Sequence, residues 1–446
     1  MITDHLIAIY DRPVPRYTSY PTAPHFHAGI TPGTATEWLQ ALPTEAPLSL
    51  YLHIPFCQQM CWYCGCNTQI VARHKPIADF ADTLLAEIAH IGDMLRASGH
   101  RRIVSSIHFG GGTPNSLDAD EFERIMAALA HHFALEPDLD LAIELDPRTV
   151  SDEFLAAMRR VGVNRASLGV QDFDPVVQAA VNRVQPFDLV KDCVAKLRAN
   201  GIRSLNLDLI YGLPFQSVSG LRHTVGQAAD LAPERIALFG YAHVPWMKPH
   251  QRLIDEASLP DAYARFRQFE AAAQALAALD YSRIGLDHFA KAGDALVLAR
   301  DSRTLKRNFQ GYTIDRADAL IGFGPSAISA LPQGYLQNAP DNTPWARSVG
   351  EGRLPIVKGV ALTAEDRRRR AIIEQLMCYG TVDLGAFDFE PAMIMAQLSP
   401  LIEDGLIHLV GRHVTVTERG LPFQRVVAAA FDAYLAPDNT RHSRAV

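Results

Sequence analysis

The chain has 446 residues, enough for one large domain and a smaller one. Hydrophobic residues make up 48% and charged residues 20%, an ordinary globular composition, and a net charge of -7 argues against a general polyanion binder. No apolar run approaches the roughly 18 residues of a membrane span, and the N-terminus has no signal-peptide core. Four of the six cysteines fall in one cluster, so the expectation is a cytoplasmic, cofactor-holding protein without a disulfide framework. Cys193 and Cys378, isolated in helix-like segments, read as inert core thiols.

Residues 1–47 are rich in proline and tyrosine. The stretch Pro15-Arg16-Tyr17-Thr18-Ser19-Tyr20-Pro21-Thr22-Ala23-Pro24-His25-Phe26 suits an extended arm lying across another surface, not a helix. The first confident strand covers 48–54, where Leu50, Leu52 and Ile54 alternate with Tyr51 and His53 until Pro55 ends the pairing. It runs directly into Cys57, Cys61 and Cys64, spaced C-x3-C-x2-C, with Cys66 two residues on. Soft thiolates so close together suit an iron–sulfur cluster, which ordinarily takes four cysteines. The three-ligand spacing suggests that one iron stays open. A zinc knuckle or a disulfide pair are the bland alternatives, but no second Cys/His cluster stands at zinc spacing.

From residue 48 to about 300, strand-like runs at 48–54, 103–109, 139–145, 164–170, 203–211 and 235–241 alternate with helical patterns at 77–98, 119–133, 151–161, 187–199 and 217–231. This order predicts an α/β fold, a partial (β/α)6 barrel of parallel strands with functional residues at their C-terminal ends. The distinctive residues do fall there. Gly110-Gly111-Gly112-Thr113-Pro114 follows the second strand, and such a glycine run lets backbone approach a ligand closely. Glu144 ends the third strand, Gln171 the fourth, with Arg183 on the next helix as a possible carboxylate partner. Asp208 sits among apolar neighbours in the fifth, where a buried acid needs a partner.

The cysteine spacing, with aromatic Tyr63 just before the third cysteine, resembles the radical S-adenosylmethionine superfamily. The Cys64-Gly65-Cys66 ending and the Arg16–Phe26 motif are similar to one family in particular, the oxygen-independent coproporphyrinogen III oxidases. That resemblance implies one [4Fe–4S] cluster on Cys57, Cys61 and Cys64, its fourth iron chelating S-adenosylmethionine, and a 5′-deoxyadenosyl radical as the oxidant. It implies cofactor contacts at Tyr51, Tyr63, Gly111, Gly112, Thr113, Glu144, Gln171, Arg183, Asp208 and the Ala242 backbone, and a second S-adenosylmethionine near Cys66, Gln310 and Ile328. It names no catalytic side chain. The implied reaction is decarboxylation of the ring A and B propionates of coproporphyrinogen III to vinyl groups, giving protoporphyrinogen IX in heme biosynthesis. The implied partners are an electron donor such as a flavodoxin or ferredoxin system, with no nucleic acid and no membrane, and a monomer is the expected state. A heme chaperone of the same superfamily is the alternative, and Cys66 with the arm motif favours the oxidase. A plain electron-transfer or zinc module, or another tetrapyrrole enzyme using the cofactor twice, completes the set of readings.

Beyond the barrel, a helical hairpin is expected at about 260–280, followed by Arg283–Ala290, Asn308–Tyr312 and Leu320–Ser329, all similar to the family. The expected domains are an arm over 1–47, the barrel with its post-barrel segment over 48–330, a proline- and glycine-rich linker over 331–360 and a small helical, winged-helix-like unit over 361–446. In the last, Thr363 caps a helix at 365–378. Leu398–Thr417 reads as a β-wing, and Arg367–Arg370 as a solvated helix face. Covering the barrel mouth is the expected role of this unit.

Overall fold

The computed structural model describes residues 4–96, 101–435 and 444. Six parallel strands lie side by side in chain order: β1 Leu48–Ile54, β2 Ile103–Gly111, β3 Ala134–Leu145, β4 Arg165–Gln171, β5 Ser204–Tyr211 and β6 Arg235–Gly240. They are the centre of a 12-stranded sheet. Beyond β6 the sheet continues antiparallel through β7 Tyr281–Ile284 and β8 His288–Lys291, with β8 next to β6. On the other side β9 Ala319–Phe323 pairs parallel with β1, and β10 Ile328–Leu331, β11 Gly334–Asn338 and β12 Ile356–Ala361 follow as antiparallel neighbours.

The strands alternate in what they show to each side, with register irregularities at Leu48/Ser49, Val104/Ser106 and Gly169/Gln171. Leu52, Phe109, Ile143, Leu168 and Leu207 face outward and join one core with the helices. Helix Lys75–Leu95 supplies Phe80, Leu84, Ile88 and Ile91 at three- and four-residue spacing, the apolar stripe of an amphipathic helix. Each fully buried side chain of this kind contributes about 1.5–3 kcal/mol of transfer free energy. Helix Ala119–His132 opens on a capping box of Asp118 and Glu121, and helix Asp152–Val161 stops at Gly162 in the left-handed conformation. The last two positions of the helix expected over 77–98 lie outside the described residues.

Three expectations need correction. Residues 331–360 are not a linker: they form β11, a helix over Asn342–Gly350 and most of β12. Pro332-Gln333-Gly334 is the turn of the β10–β11 hairpin, and Gly334 stands where a Cβ would collide with the Val360 carbonyl, so turn chemistry inside a sheet read as a linker. The region 260–280 is one helix, Ala262–Ala278. The four arginines are not only a solvated face: Arg367 is exposed and the other three are half-buried, and each has a partner. Arg367 donates to the carbonyls of Leu362 and Pro332, Arg368 to that of Asp388, Arg369 to Glu365 and the Phe431 carbonyl, and Arg370 lies over the Tyr335 ring.

The arm begins with a helix over Asp4–Tyr10, continues irregularly through bends at 18–21, and then forms a 3-10 turn over Ala23–His25 and a helix over Pro32–Gln40. Leu6, Ile7, Tyr10, Val14, Tyr17 and Tyr20 are buried in one core with Ile372, Leu376, Leu398 and Phe423 of the C-terminal unit. The tyrosine hydroxyls fix this docking: Tyr10 donates to Asp404 at 2.6 Å and Tyr17 to Asp432 at 3.0 Å. The C-terminal unit carries helix Ala364–Tyr379 and a three-stranded wing of Thr381–Asp383, Ile407–Val410 and His413–Val416. No helix among the described residues is long and apolar enough to cross a membrane.

Candidate active site

The inward positions of β1–β6 are polar. Tyr51, His108 and Ala142 stand in one row across β1–β3, and Glu144, Ser167, Asn206 and Arg235 in the next across β3–β6. All of these but Tyr51, together with Asp208 and Gln310, line a cavity of about 220 Å³. Buried polar groups need partners, and here they form a chain. Glu144 accepts from His108 Nε2 at 3.0 Å and from the Gly111 amide at 3.2 Å. Burial pushes the Glu144 carboxyl up, but these contacts outweigh it and hold it below its ordinary value. Tyr51 stacks on His108 and meets His53 Nδ1 at 3.1 Å. His53 Nε2 lies 3.0 Å from the Asn67 carbonyl, so that nitrogen carries the proton and Nδ1 accepts from Tyr51. Asp208 accepts from Asn206 at 2.7 Å and Ser167 at 3.0 Å, yet burial and the charge of Glu144 push it up to about 6.

The cysteine loop caps the end of this cavity wall. Cys57 Sγ lies 3.3 Å from Thr113 Oγ1, and burial pushes its thiol up to about 11. Cys61 is buried and faces two guanidiniums, Arg183 at 3.4 Å and Arg148 at 3.7 Å. Cys64 accepts from the Cys66 amide at 3.4 Å, and hydrogen bonding from Cys66 brings its thiol down to about 6 against its burial. Cys66 itself is exposed. Asp146 joins Arg148 at 2.6 Å and Arg183 at 3.5 Å, which fixes both cations beside Cys61.

The backbone explains the glycines. A Cβ on Gly112 would lie 2.7 Å from the Phe56 carbonyl, and one on Gly111, whose φ is 115°, 2.7 Å from the His53 ring. The glycines thus let the end of β2 lie flush against the start of the cysteine loop, where the Gly112 amide donates to the Ile54 carbonyl at 2.8 Å. Gln171, at φ 70°, and Arg183 converge at Gly169, whose carbonyl accepts from Arg183 at 2.6 Å. Gln251, 1% exposed, donates to the Tyr63 carbonyl at 2.9 Å and the Ala242 carbonyl at 3.2 Å and so ties the loop to the exit of β6. His250 and Lys248 hold the carbonyls of Cys64 and Cys66, each at 2.8 Å.

These residues fit a thiolate-held, multi-atom cluster. The three sulfurs are not gathered within 4.8 Å of one another, whereas a single zinc with bonds of about 2.3 Å would draw them closer. Arg183, buried, and Arg148, half-buried, place two guanidiniums beside Cys61, and Arg183 Nε is buried without a hydrogen-bond partner in the protein. Of the described residues that do gather for one ion, Asp118 and Glu121 form the capping box of helix Ala119–His132 and His74 is the N-cap of helix Lys75–Leu95.

Comparison with known proteins decides the family. Residues 51–228 match the Radical SAM superfamily and residues 362–423 the HemN C-terminal domain. An oxygen-independent coproporphyrinogen III oxidase from Bradyrhizobium diazoefficiens is 48% identical over 100% of both chains, and one from Paracoccus denitrificans 40% over 96% of each. This chain belongs to the oxygen-independent coproporphyrinogen III oxidase family. The solved coproporphyrinogen III oxidase of Escherichia coli, described as a radical SAM enzyme, matches at a TM-score of 0.89 and 36% identity, over 94% of this chain and 98% of that one. The protein is therefore a radical SAM oxidoreductase of heme biosynthesis, and its family implies a [4Fe–4S] cluster and S-adenosylmethionine.

Within this oxidase, the residues singled out from sequence fall into three groups. Tyr51, Glu144, Asp208 and Gln310 surround the barrel cavity or its wall, and the three cysteines, Tyr63, Thr113, Gln171 and Arg183 gather at the loop above. Ile328 is elsewhere: it packs on the patch of Phe26, Tyr335 and Val360 under the arm, as does Phe309. Sequence reasoning passed over His53, His108, Asp146, Arg148, Ser167, Asn206 and Gln251. For most of these a signal existed, namely polar residues at alternate positions of strands buried on both faces. For Gln251, in a short 3-10 turn, there was none.

Proposed function

We propose that this oxidase converts the ring A and B propionates of coproporphyrinogen III to vinyl groups, yielding protoporphyrinogen IX, in the cytoplasm and without oxygen. A [4Fe–4S] cluster and S-adenosylmethionine, when bound, would supply the radical chemistry that oxidises the propionates, and the residues of this chain would hold and orient them. Cys57, Cys61 and Cys64 hold the cluster, and Arg148 and Arg183 offset its thiolate charge. Glu144, Gln171, Arg183 and Asp208 orient one S-adenosylmethionine, the Gly111-Gly112-Thr113 backbone lies along its amino end, and the Ala242 carbonyl faces its adenine. Cys66 and Gln310 bind a second, and Ile328 lies apart from them in the apolar patch under the arm. A flavodoxin- or ferredoxin-type protein delivers the electron, and the chain acts as a monomer.

The observation that carries this reading is the buried Cys61 thiol within reach of two arginines, on the loop that follows the first strand of the barrel. An anaerobic assay of the reconstituted protein with S-adenosylmethionine, a reductant and coproporphyrinogen III tests it. Protoporphyrinogen with about two deoxyadenosines per product is expected, the ratio two radical steps demand. Deoxyadenosine without decarboxylation would assign a different substrate, and tight heme binding with neither product would move the protein to the chaperones.

A further inference from the structure

No residue of the stretch Arg283–Ala290 takes part in the proposed reaction, yet two of them, Asp287 and His288, form a buried pair beside the barrel cavity. Asp287 Oδ1 lies 2.8 Å from His288 Nδ1 and 3.9 Å from Arg307. Burial pushes the Asp287 carboxyl up, but Arg307 and His288 outweigh it and hold it well below its ordinary value. An ionised carboxylate only accepts, so His288 Nδ1 carries the proton. Arg307 already offsets the carboxylate charge, so the pair does not call for an imidazolium. His288 Nε2 therefore keeps its lone pair.

That nitrogen has no hydrogen-bond partner among the described residues, and His288 lines the cavity of about 220 Å³. His288 stands in one row with Ala237 of β6 and Asp208 of β5, and the small alanine leaves room between imidazole and carboxylate. Phe239 and Tyr312 meet the imidazole edge-on, with ring centres at 5.9 and 5.4 Å. Gly311, at φ 118°, faces the free edge: a Cβ there would lie 3.1 Å from Cε1 and 3.3 Å from Nε2. Glycine thus keeps the nitrogen uncovered. The lining also says what kind of group fits. Its two arginines are paired, Arg165 with Asp140 at 3.0 Å and Arg235 with Asp294 at 2.7 Å, whereas Glu144, Asp208 and Asp315 add three carboxylates. Such a chamber suits a hydrogen-bond donor better than another carboxylate.

We propose that His288 is a further reactant-binding residue, its Nε2 accepting a hydrogen bond from an N–H or O–H group bound in the chamber. The inference rests on the coproporphyrinogen reading, which supplies two donors of that kind: a pyrrole N–H of the tetrapyrrole and a ribose hydroxyl of S-adenosylmethionine. Asp287 and Arg307 are positioning residues, since they act through the ring.

Anaerobic equilibrium dialysis of the reconstituted protein against coproporphyrinogen III and, separately, against S-adenosylmethionine tests the site. His288→Asn keeps an N–H toward Asp287 and removes the acceptor in the chamber. It is expected to weaken one of the two ligands about tenfold, the effect of leaving one buried donor unpaired, and the ligand affected identifies the donor. Two unchanged affinities overturn the proposal, and so does an equal loss of both, which would mark a structural role. A second readout needs no variant. In the wild type His288 should react with diethyl pyrocarbonate while the chamber is empty and be shielded by the ligand so identified. A ring that is never modified, or that neither ligand shields, overturns the proposal too. A wild type that binds neither ligand would instead count against the proposed reaction itself, which keeps the two failures apart.

Discussion

The two faces of the same six strands have opposite chemistry. Outward, Leu52, Phe109, Leu168 and Leu207 are fully buried against helices. Inward, His108, Glu144, Ser167, Asn206 and Asp208 form a hydrogen-bonded lining around a cavity. A one-residue slip of register would exchange them. The outer face supplies the burial that holds the sheet, and this leaves the inner face free to keep polar groups that a core would not tolerate. Function and stability are thus separable at single-residue resolution, and substitutions on each face should fail in different ways.

The largest effect is expected at the cysteine loop. Cys61→Ala removes a thiolate held between Arg148 and Arg183 and should abolish the iron–sulfur absorption and all deoxyadenosine formation. Far-ultraviolet circular dichroism and the denaturation midpoint of the cofactor-free protein should stay near those of the wild type. A retained cluster would remove Cys61 from the ligand set. The outer face should give the converse. Leu207→Ala empties space in a fully buried position and should cost about 2–5 kcal/mol, read as a shifted urea midpoint in the cofactor-free protein. Its reconstituted cluster should keep the wild-type absorption per folded molecule. A cluster lost in proportion to stability would show that the faces are not separable.

The same contrast explains what the sequence disclosed. The outward alternation of Leu50, Leu52 and Ile54, and its equivalents in β2–β6, placed every parallel strand of the barrel to within a few residues, because apolar periodicity is local. The cysteines, the glycines and Arg183 were visible because their spacing or setting was unusual. The partners that position them were not. Gln251 joins the carbonyls of Tyr63 and Ala242 across 188 residues of chain in the first case, and nothing local marks a glutamine for that task. Prolines and glycines misled over 331–360 for the opposite reason, since hairpin turns and flexible linkers draw on the same residues.

Glu87 breaks the division, because it is a carboxylate on the apolar side. It is 1% exposed on helix Lys75–Leu95 and accepts from the Gly324 amide at 2.7 Å, Asn338 Nδ2 at 2.9 Å and Trp345 Nε1 at 3.1 Å. Gly324, at φ 88°, packs so closely that a Cβ would lie 2.6 Å from the His53 carbonyl, so Glu87 braces the turn that backs β1 at the site. Burial nevertheless outweighs the three donors and pushes its carboxyl from 4.5 up to about 7. With the folded-state value raised, the stability this group contributes is fully present below about pH 4.5 and is lost as the pH rises through 7. Glu87→Gln replaces an acceptor by an NH₂ facing a donor and should cost about 1–3 kcal/mol at pH 5. That deficit should shrink on going to pH 8, by up to about 3 kcal/mol for a rise of 2.5 pH units in the carboxyl. Denaturation midpoints of the cofactor-free wild type and variant across this range decide it. A deficit that grows with pH would mean that the three donors win over burial and that Glu87 is a charged clamp, making the outer face less apolar in its chemistry than in its composition.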